Sequence, residues 1–359
     1  MKKPSIKDLR ATLLQKDQEI VNLLNERTDL ALEIGKIKYA QGRETYDPSQ
    51  EDKVYEYLKE SNVGPLPEKA LKDIFREVIS SSRALQEPTL VAYLGPEASF
   101  CYLAAQSHFG KSARYYSQTK VSEVFDEVER GRLAWGVVPV ENSLEGSVKT
   151  TLDRLISTPL NIRAEIFLKI SHCLISRGTR KDAIKRVYSH PQAFAQCQGW
   201  LRRNLPHSRL IEVDSTVAAA EHVLKDRKAA AIGSDLAAAT YGLKIIAEGI
   251  EDSPLNTTRF FVIGRRHSVA TGNDKTSVLF ATQHVPGALH KALEPFARDK
   301  INMTRIESYP MRDRLWKYLF FVDLAGHRDD KKIKKCLTEM QRVTTLFKVL
   351  GSYPRGEEP

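Results

Sequence analysis

The sequence has no pair of cysteines at metal-ligand or redox spacing. Cys101, Cys173, Cys197 and Cys336 lie far apart with no CxxC among them. That excludes a zinc ribbon and a disulfide framework, suggests no metal site, and reads as four buried thiols. No run approaches the roughly 18 consecutive apolar residues of a membrane-spanning helix. The basic start, MKKPSIKDLR, leads into an amphipathic pattern instead of an apolar signal core. The expectation is a cytoplasmic protein with no membrane attachment. No nucleic-acid motif accompanies the net charge of +10: basic residues are spread over every segment, and the run Lys331-Lys332-Ile333-Lys334-Lys335 has the spacing of a solvated helix face. Such a charge suits a field that draws in small anionic substrates, with no nucleic acid as partner.

What is present is a chain of 359 residues, 42% hydrophobic and 28% charged, with room for two or three domains. From Ser5 to about Ala40 the apolar positions Ile6, Leu9, Leu13, Ile20, Leu24, Ala31, Ile34 and Ile37 keep helical spacing. A helix of this length is a rod of roughly 50 Å, more than a small domain can cover, so its apolar face calls for a partner chain. Two more helices are expected near 49–61 and 67–86, parted by Gly64-Pro65-Leu66-Pro67, which makes residues 1–88 an all-α domain. Arg27 and Lys38 project from nearly one helix face, roughly 16 Å apart, and can converge on one small ligand. Arg10 lies roughly 25 Å along the rod from Arg27 and reaches that ligand only from an antiparallel partner.

Leu9-Arg10, Glu26-Arg27, Glu33-Ile34-Gly35, Lys36-Ile37-Lys38, Asp47, Glu51, Ser82 and Gln86 resemble the all-helical chorismate mutase pattern. The resemblance implies an intertwined homodimer or higher homo-oligomer. It also implies that Arg10, Arg27 and Lys38 hold the carboxylates and ether oxygen of chorismate, with Asp47, Glu51, Ser82 and Gln86 completing the pocket. The rearrangement to prephenate needs no nucleophile, so donors to the ether oxygen, Lys38 and Gln86, carry the catalysis. Gln50 stands where several relatives have arginine.

Residues 90–266 alternate short apolar runs with helical segments. Strands are expected at Leu90–Leu94, Leu133–Val140, Phe167–Ile175, Arg186–Tyr188, Leu210–Val213, Ala229–Ile232, Leu243–Ala247 and Phe260–Gly264. Helices are expected near Ser99–Phe109, Val121–Arg130, Val148–Ile156, Gln192–Arg203 and Val217–Lys225. This is an α/β pattern with the numbers for two lobes and a cleft. Polar turns follow or abut the strands, and their amides and hydroxyls can meet an anion. Asn256-Thr257-Thr258-Arg259-Phe260 sets a hydroxyl beside a guanidinium.

GPEASF, ENSLEGSV, ISHCLI, SHPQAFAQC, AAIGSDLAA and Thr258-Arg259-Phe260 resemble prephenate dehydratase. The resemblance implies a two-lobed, periplasmic-binding-protein-like fold. By position, Ser99, Asn142, Ser143, Gly146, His172, Ser189, Gln192, Ser215, Thr216, Thr258, Arg259 and Phe260 line its site. Thr258 is expected to hydrogen-bond the leaving hydroxyl, with Glu141 or His172 supplying the proton and Arg259 either structural or a carboxylate anchor. Ala98 replaces the usual glycine of the GPxGTF turn.

Residues 274–359 read strand Lys275–Gln283, helix Ala288–Arg298, strands Ile301–Glu307 and Trp316–Leu324, helix Asp330–Met340 and strand Thr345–Leu350. That is the ferredoxin-like βαββαβ order. Pro286-Gly287-Ala288-Leu289 and Glu307-Ser308-Tyr309-Pro310 resemble the ACT regulatory domain. The resemblance implies L-phenylalanine as effector, held by Gly287, Ala288, Leu289, Glu307 and Ser308. Tyr309 stands where the family commonly has arginine. Together the three resemblances imply an enzyme of phenylalanine biosynthesis that carries both activities and needs no cofactor.

Overall fold

The structure, a computed structural model, describes residues 5–178, 180–310 and 318–358. The chain divides into two compact units, one made of residues up to Thr89 with Phe109–Arg114, the other of Leu90–His108 and the residues from Tyr115 onward. Among the described residues no helix is long and apolar enough to cross a membrane.

The first unit is built from α1 (Ile6–Ala40), α2 (Pro48–Ser61) and α3 (Glu68–Gln86). Ser5 opens α1 with a capping box: its hydroxyl accepts from the Asp8 amide while the Asp8 carboxylate accepts from the Ser5 amide. Asp47 caps α2 by accepting from the Gln50 amide, with Pro48 in the first turn. Both α1 and α2 pack on α3. Yet α1 buries none of its residues, and Leu13, Ile20, Leu30 and Ile37 are each more than half exposed.

The second unit begins with β1 (Leu90–Leu94), α4 (Phe100–Phe109), β2 (Arg114–Gln118), α5 (Val121–Glu129), β3 (Trp135–Asn142), β4 (Gly146–Ser147), α6 (Lys149–Ser157) and β5 (Asn161–Lys169). It continues through β6 (Cys173–Ser176), β7 (Arg186–Ser189), α7 (Pro191–Gln196), α8 (Gln198–Asn204), β8 (Arg209–Glu212), α9 (Thr216–Lys225), β9 (Ala229–Gly233), α10 (Asp235–Thr240), β10 (Lys244–Ala247) and β11 (Thr257–Gly264). The last elements are β12 (Asp274–Ala281), α11 (Ala288–Arg298), β13 (Met303–Pro310), β14 (Tyr318–Ala325), α12 (Lys331–Val343) and β15 (Leu346–Pro354). Trp316 and Lys317, where the sequence pattern starts the third strand of this last group, lie outside the described residues.

Three sheets result. The first lobe has the order β2-β1-β3-β11-β5 with β4 on β3, the second lobe β10-β6-β9-β7-β8, and the C-terminal sheet β13-β14-β12-β15, the ferredoxin-like order. The chain crosses between the lobes twice, outward through 170–172 and back through 248–256. This corrects the single strand expected over Phe167–Ile175: β5 ends at Lys169 and β6 starts in the other sheet at Cys173. The apolar run continues through the crossing, so periodicity does not mark it. The earlier half of β5 escapes a hydrophobicity reading because Arg163 and Glu165 are among its buried residues. The helix expected over 192–203 breaks at Cys197 into α7 and α8. The C-terminal sheet and the first lobe share one core, in which Phe261 meets Leu279, Phe321 and Tyr353.

Candidate active sites

The helical unit contains a cavity of about 120 Å³. Arg27 and Lys38 of α1, Asp47 and Glu51 at the start of α2, and Ser82 and Gln86 of α3 all line it. Eleven residues along α1 bring the two cations to the same wall, as the helical period requires. Arg27 donates to Ser82 Oγ at 3.3 Å. Lys38 donates to the Thr45 carbonyl at 3.2 Å and lies 3.8 Å from the Asp47 carboxylate. Gly35 leaves room for Gln86, since a Cβ there would sit 2.6 Å from its Oε1. Arg10 is exposed on α1 and does not line this cavity. Sequence reasoning missed Arg83, which is buried, lines the wall and pairs with Glu51 at 2.6 Å. Burial pushes the Glu51 carboxyl above its ordinary range, while Arg83 pulls against that shift.

The second cavity, about 380 Å³, opens between the two lobes. Ser99, Asn142, His172, Gln192, Ser215, Thr216, Thr258 and Phe260 line it, and among the described residues no lysine or arginine does. The N-terminal ends of α4 and α9 face it through Ser99 and Ser215, so their free amides supply positive ends where no cation stands. Thr258 and Phe260 point the same way because strand side chains alternate. A register shift between Arg259 and Phe260, opposite Glu141 and Pro139, marks a bulge beside the cavity. Ala98 adopts the left-handed conformation at φ 66°, which is why glycine suits that turn. Cys101 borders the cavity, but burial pushes its thiol up to about 12, far from a reactive thiolate.

A hydrogen-bond network joins the walls. Asn142 Nδ2 donates to Thr258 Oγ1 and to Asn256 Oδ1, both at 2.9 Å. Asn256 Nδ2 donates to Gln196 Oε1 at 2.9 Å, the same oxygen that lies 2.8 Å from His172 Nε2. Gln196 Nε2 donates to Glu145 at 3.0 Å. Thr258 therefore accepts from Asn142, and its hydroxyl hydrogen has no protein acceptor among the described residues. Gln196 was missed as a site residue, although it is the last but one residue of the SHPQAFAQC stretch.

Several residues expected in this cavity stand elsewhere. Arg259 is buried on the opposite face of β11, between Glu165 at 2.6 Å and Asp323 at 2.6 Å, with Tyr353 Oη at 3.1 Å. It anchors no carboxylate of a cavity ligand. Glu141 also turns away: it pairs with Arg305 at 3.0 Å and does not line the cavity. Ser143 staples the loop by donating to the Leu255 carbonyl and accepting from the Thr257 amide. Gly146, at φ 79°, makes the turn from β3 into β4. Ser189 is fully buried and donates to the Ile232 carbonyl. His172 does line the cavity, but burial pushes its pKa below the ordinary value against the opposing pull of Gln196 and Glu251. A ring kept neutral in this way is a poor proton source for the leaving group.

A third cavity, in the C-terminal sheet, is lined by Gly287, Ala288, Leu289 and Phe320. Glu307 and Ser308 do not line it. Glu307 accepts from Ser147 Oγ at 2.5 Å and pairs with Arg305. Tyr309 is buried and donates to Asp153 at 2.6 Å. Arg305, Glu307 and Tyr309 alternate along β13 and so share one face, which meets the segment 141–153.

Models of protein families match the chain as chorismate mutase type II over residues 9–87, prephenate dehydratase over residues 91–268 and ACT domain over residues 276–340. A bifunctional chorismate mutase/prephenate dehydratase of Aquifex aeolicus (strain VF5) is 45% identical over 355 residues, 98% of each chain. That of Escherichia coli (strain K12) is 33% identical over 371 residues, 96% of this chain and 95% of the relative. Among solved structures, prephenate dehydratase in complex with L-Phe from Arthrobacter aurescens has 35% identity and a TM-score of 0.68. It covers 74% of this chain and 89% of its own.

Proposed function

The chain belongs to the family of bifunctional chorismate mutase/prephenate dehydratases, and from that premise we propose that the helical cavity binds chorismate and the interlobe cavity binds prephenate. The enzyme rearranges chorismate to prephenate, then converts prephenate to phenylpyruvate in L-phenylalanine biosynthesis. Support for the first assignment comes from the convergence of Arg27, Lys38 and Gln86 in one small cavity. The cations hold the two carboxylates in a compact conformer, and Lys38 and Gln86 stabilise charge that develops on the ether oxygen.

Thr258 carries the second assignment. Its oxygen is held by Asn142, so its hydrogen is free to bond the substrate's leaving hydroxyl. The ring carboxylate departs as carbon dioxide, its bonding electrons enter the ring as the C–O bond breaks, and the hydroxide, hydrogen-bonded by Thr258, takes up a proton from solvent to leave as water. A cavity wall with no lysine or arginine among the described residues favours that step, because it does not stabilise the carboxylate that must be lost. The amides at the starts of α4 and α9 hold the remaining carboxylate.

A second copy of the chain covers the apolar face of α1 in this reading and brings its Arg10 to the chorismate cavity. L-phenylalanine is the effector, taken up in the cavity at Gly287, Ala288 and Leu289, as suggested by the relative solved with L-Phe. Free, buried cysteines suit a reducing, cytoplasmic location. The test is to give the purified protein chorismate and follow chorismate, prephenate and phenylpyruvate separately, with and without L-phenylalanine. The expected course is prephenate, then phenylpyruvate, slowed by L-phenylalanine. Prephenate that accumulates without further conversion contradicts the interlobe assignment, and turnover indifferent to L-phenylalanine contradicts the effector assignment.

A further inference from the structure

The network in the interlobe cavity has a polarity, and the backbone sets it. The amides of Leu144 and Glu145 can only donate, and both donate to Asn142 Oδ1, at 3.0 and 3.3 Å. Asn142 Nδ2 is thereby the end that meets Asn256, which must present Oδ1. Asn256 Nδ2 is then the end that meets Gln196, which must present Oε1. At the far end Gln196 Nε2 meets the Glu145 carboxylate, an acceptor only, so both ends demand the same direction. Gln196 Oε1 therefore accepts from His172, and the ring proton sits on Nε2. Nδ1 keeps its lone pair, buried and with no partner among the described residues, on a ring that lines the cavity.

We propose that Asn256 is a positioning residue of the dehydration: by accepting from Asn142 and donating to Gln196, it holds His172 in the Nε2–H tautomer. His172 then meets the substrate as a hydrogen-bond acceptor, complementary to the donor Thr258. Asn256 is fully buried on the return crossing between the lobes, and its carbonyl accepts from the Ile170 amide of the outward crossing, two residues before His172. The inference rests on the interlobe cavity being the prephenate site.

The test uses the full-length protein with ¹⁵N-labelled histidine, the His172 signals being those lost in His172→Gln. The wild type is expected to show a protonated Nε2 and an unprotonated Nδ1. Asn256→Asp keeps the size of the side chain and its acceptor toward Asn142 but cannot donate. Gln196 is then expected to turn its amide nitrogen to the new buried carboxylate and to His172, with the exposed Glu145 carboxylate swinging into solvent, which moves the ring proton to Nδ1. Gln196→Glu still accepts from Asn256 and His172, with the exposed Glu145 carboxylate turning away into solvent, and should leave the proton on Nε2. Dehydratase kcat is expected to fall roughly 10- to 100-fold in Asn256→Asp with KM little changed, while mutase turnover stays at the wild-type rate.

A wild-type His172 carrying its proton on Nδ1 overturns the proposal without any variant. So does an Asn256→Asp protein with the wild-type tautomer and rate, or a tautomer that moves alike in both variants, as generalised loosening would make it. If the tautomer shifts in Asn256→Asp while neither it nor Thr258→Ala slows prephenate turnover, the assignment of the cavity to prephenate is what has failed.

Discussion

Thr258 and Arg259 are neighbours on β11 with opposite duties. Thr258 Oγ1 accepts from Asn142 in the cavity, while the Arg259 guanidinium, on the other face, binds Glu165 of β5 and Asp323 of β14. Burial works against the Arg259 charge, but Tyr353, Asp323 and Glu165 outweigh it and hold the guanidinium protonated. The same strand thus carries a site residue and fastens the first lobe to the C-terminal sheet. Arg259→Met would leave Glu165 and Asp323 buried with Lys275, 2.8 Å from Glu165, as the remaining cation. Breaking one side of such a cluster costs about 3–5 kcal/mol. Urea unfolding should show a loss of that order, and a midpoint equal to the wild type's would contradict it.

Gly351 of β15 faces the backbone of β5. A Cβ at this position would lie 2.3 Å from the Ile162 carbonyl oxygen and 2.7 Å from its nitrogen, and backbone cannot step aside as a flexible side chain can. Gly351→Ala should cost about 1–3 kcal/mol, read as a lower thermal midpoint. Alanine at Gly272, where a Cβ meets nothing within 4 Å but φ is +98°, separates the effect of crowding from that of backbone strain.

His172 gives stability a pH dependence of definite sign. Its pKa is lowered from 6.5 in the folded protein, with burial the main cause. As pH falls below about 6.5 the unfolded chain takes up a proton that the folded ring refuses, so the contribution is complete at higher pH and is lost through that window. Denaturant midpoints at pH 7.5 and 5.5 should therefore differ less in His172→Gln than in the wild type. An equal drop in both would show that this ring is not responsible.

Local signals made much of this legible in the sequence, and long-range ones did not. The apolar period of α1 gave its length and its unpartnered face. The strand was expected only from Phe260, with Thr258 and Arg259 together in the turn before it, whereas β11 starts at Thr257 and its alternation puts Thr258 and Phe260 on one side. The same alternation sent Arg259 to the other side. What it meets there could not be read, because Glu165 and Asp323 lie 94 and 64 residues away. Glu141 was misread for the same reason: its partner Arg305 belongs to β13. Gln196 and Asn256 act through one another across two lobes, and neither residue type signals that alone. The break at 170–172 went unseen because the apolar pattern runs on through it.

The most direct measurement gives chorismate, and separately prephenate, to the wild type and to the variants Lys38→Ala and Thr258→Ala. Loss of a donor that acts on developing charge costs about 10²–10³-fold. Thr258→Ala should therefore consume chorismate at the normal rate and accumulate prephenate. Lys38→Ala should leave chorismate nearly untouched yet convert added prephenate as fast as the wild type does. A Thr258→Ala enzyme that still forms phenylpyruvate at the normal rate, or a Lys38→Ala enzyme that loses both activities while remaining folded, would contradict two separate sites built from these residues.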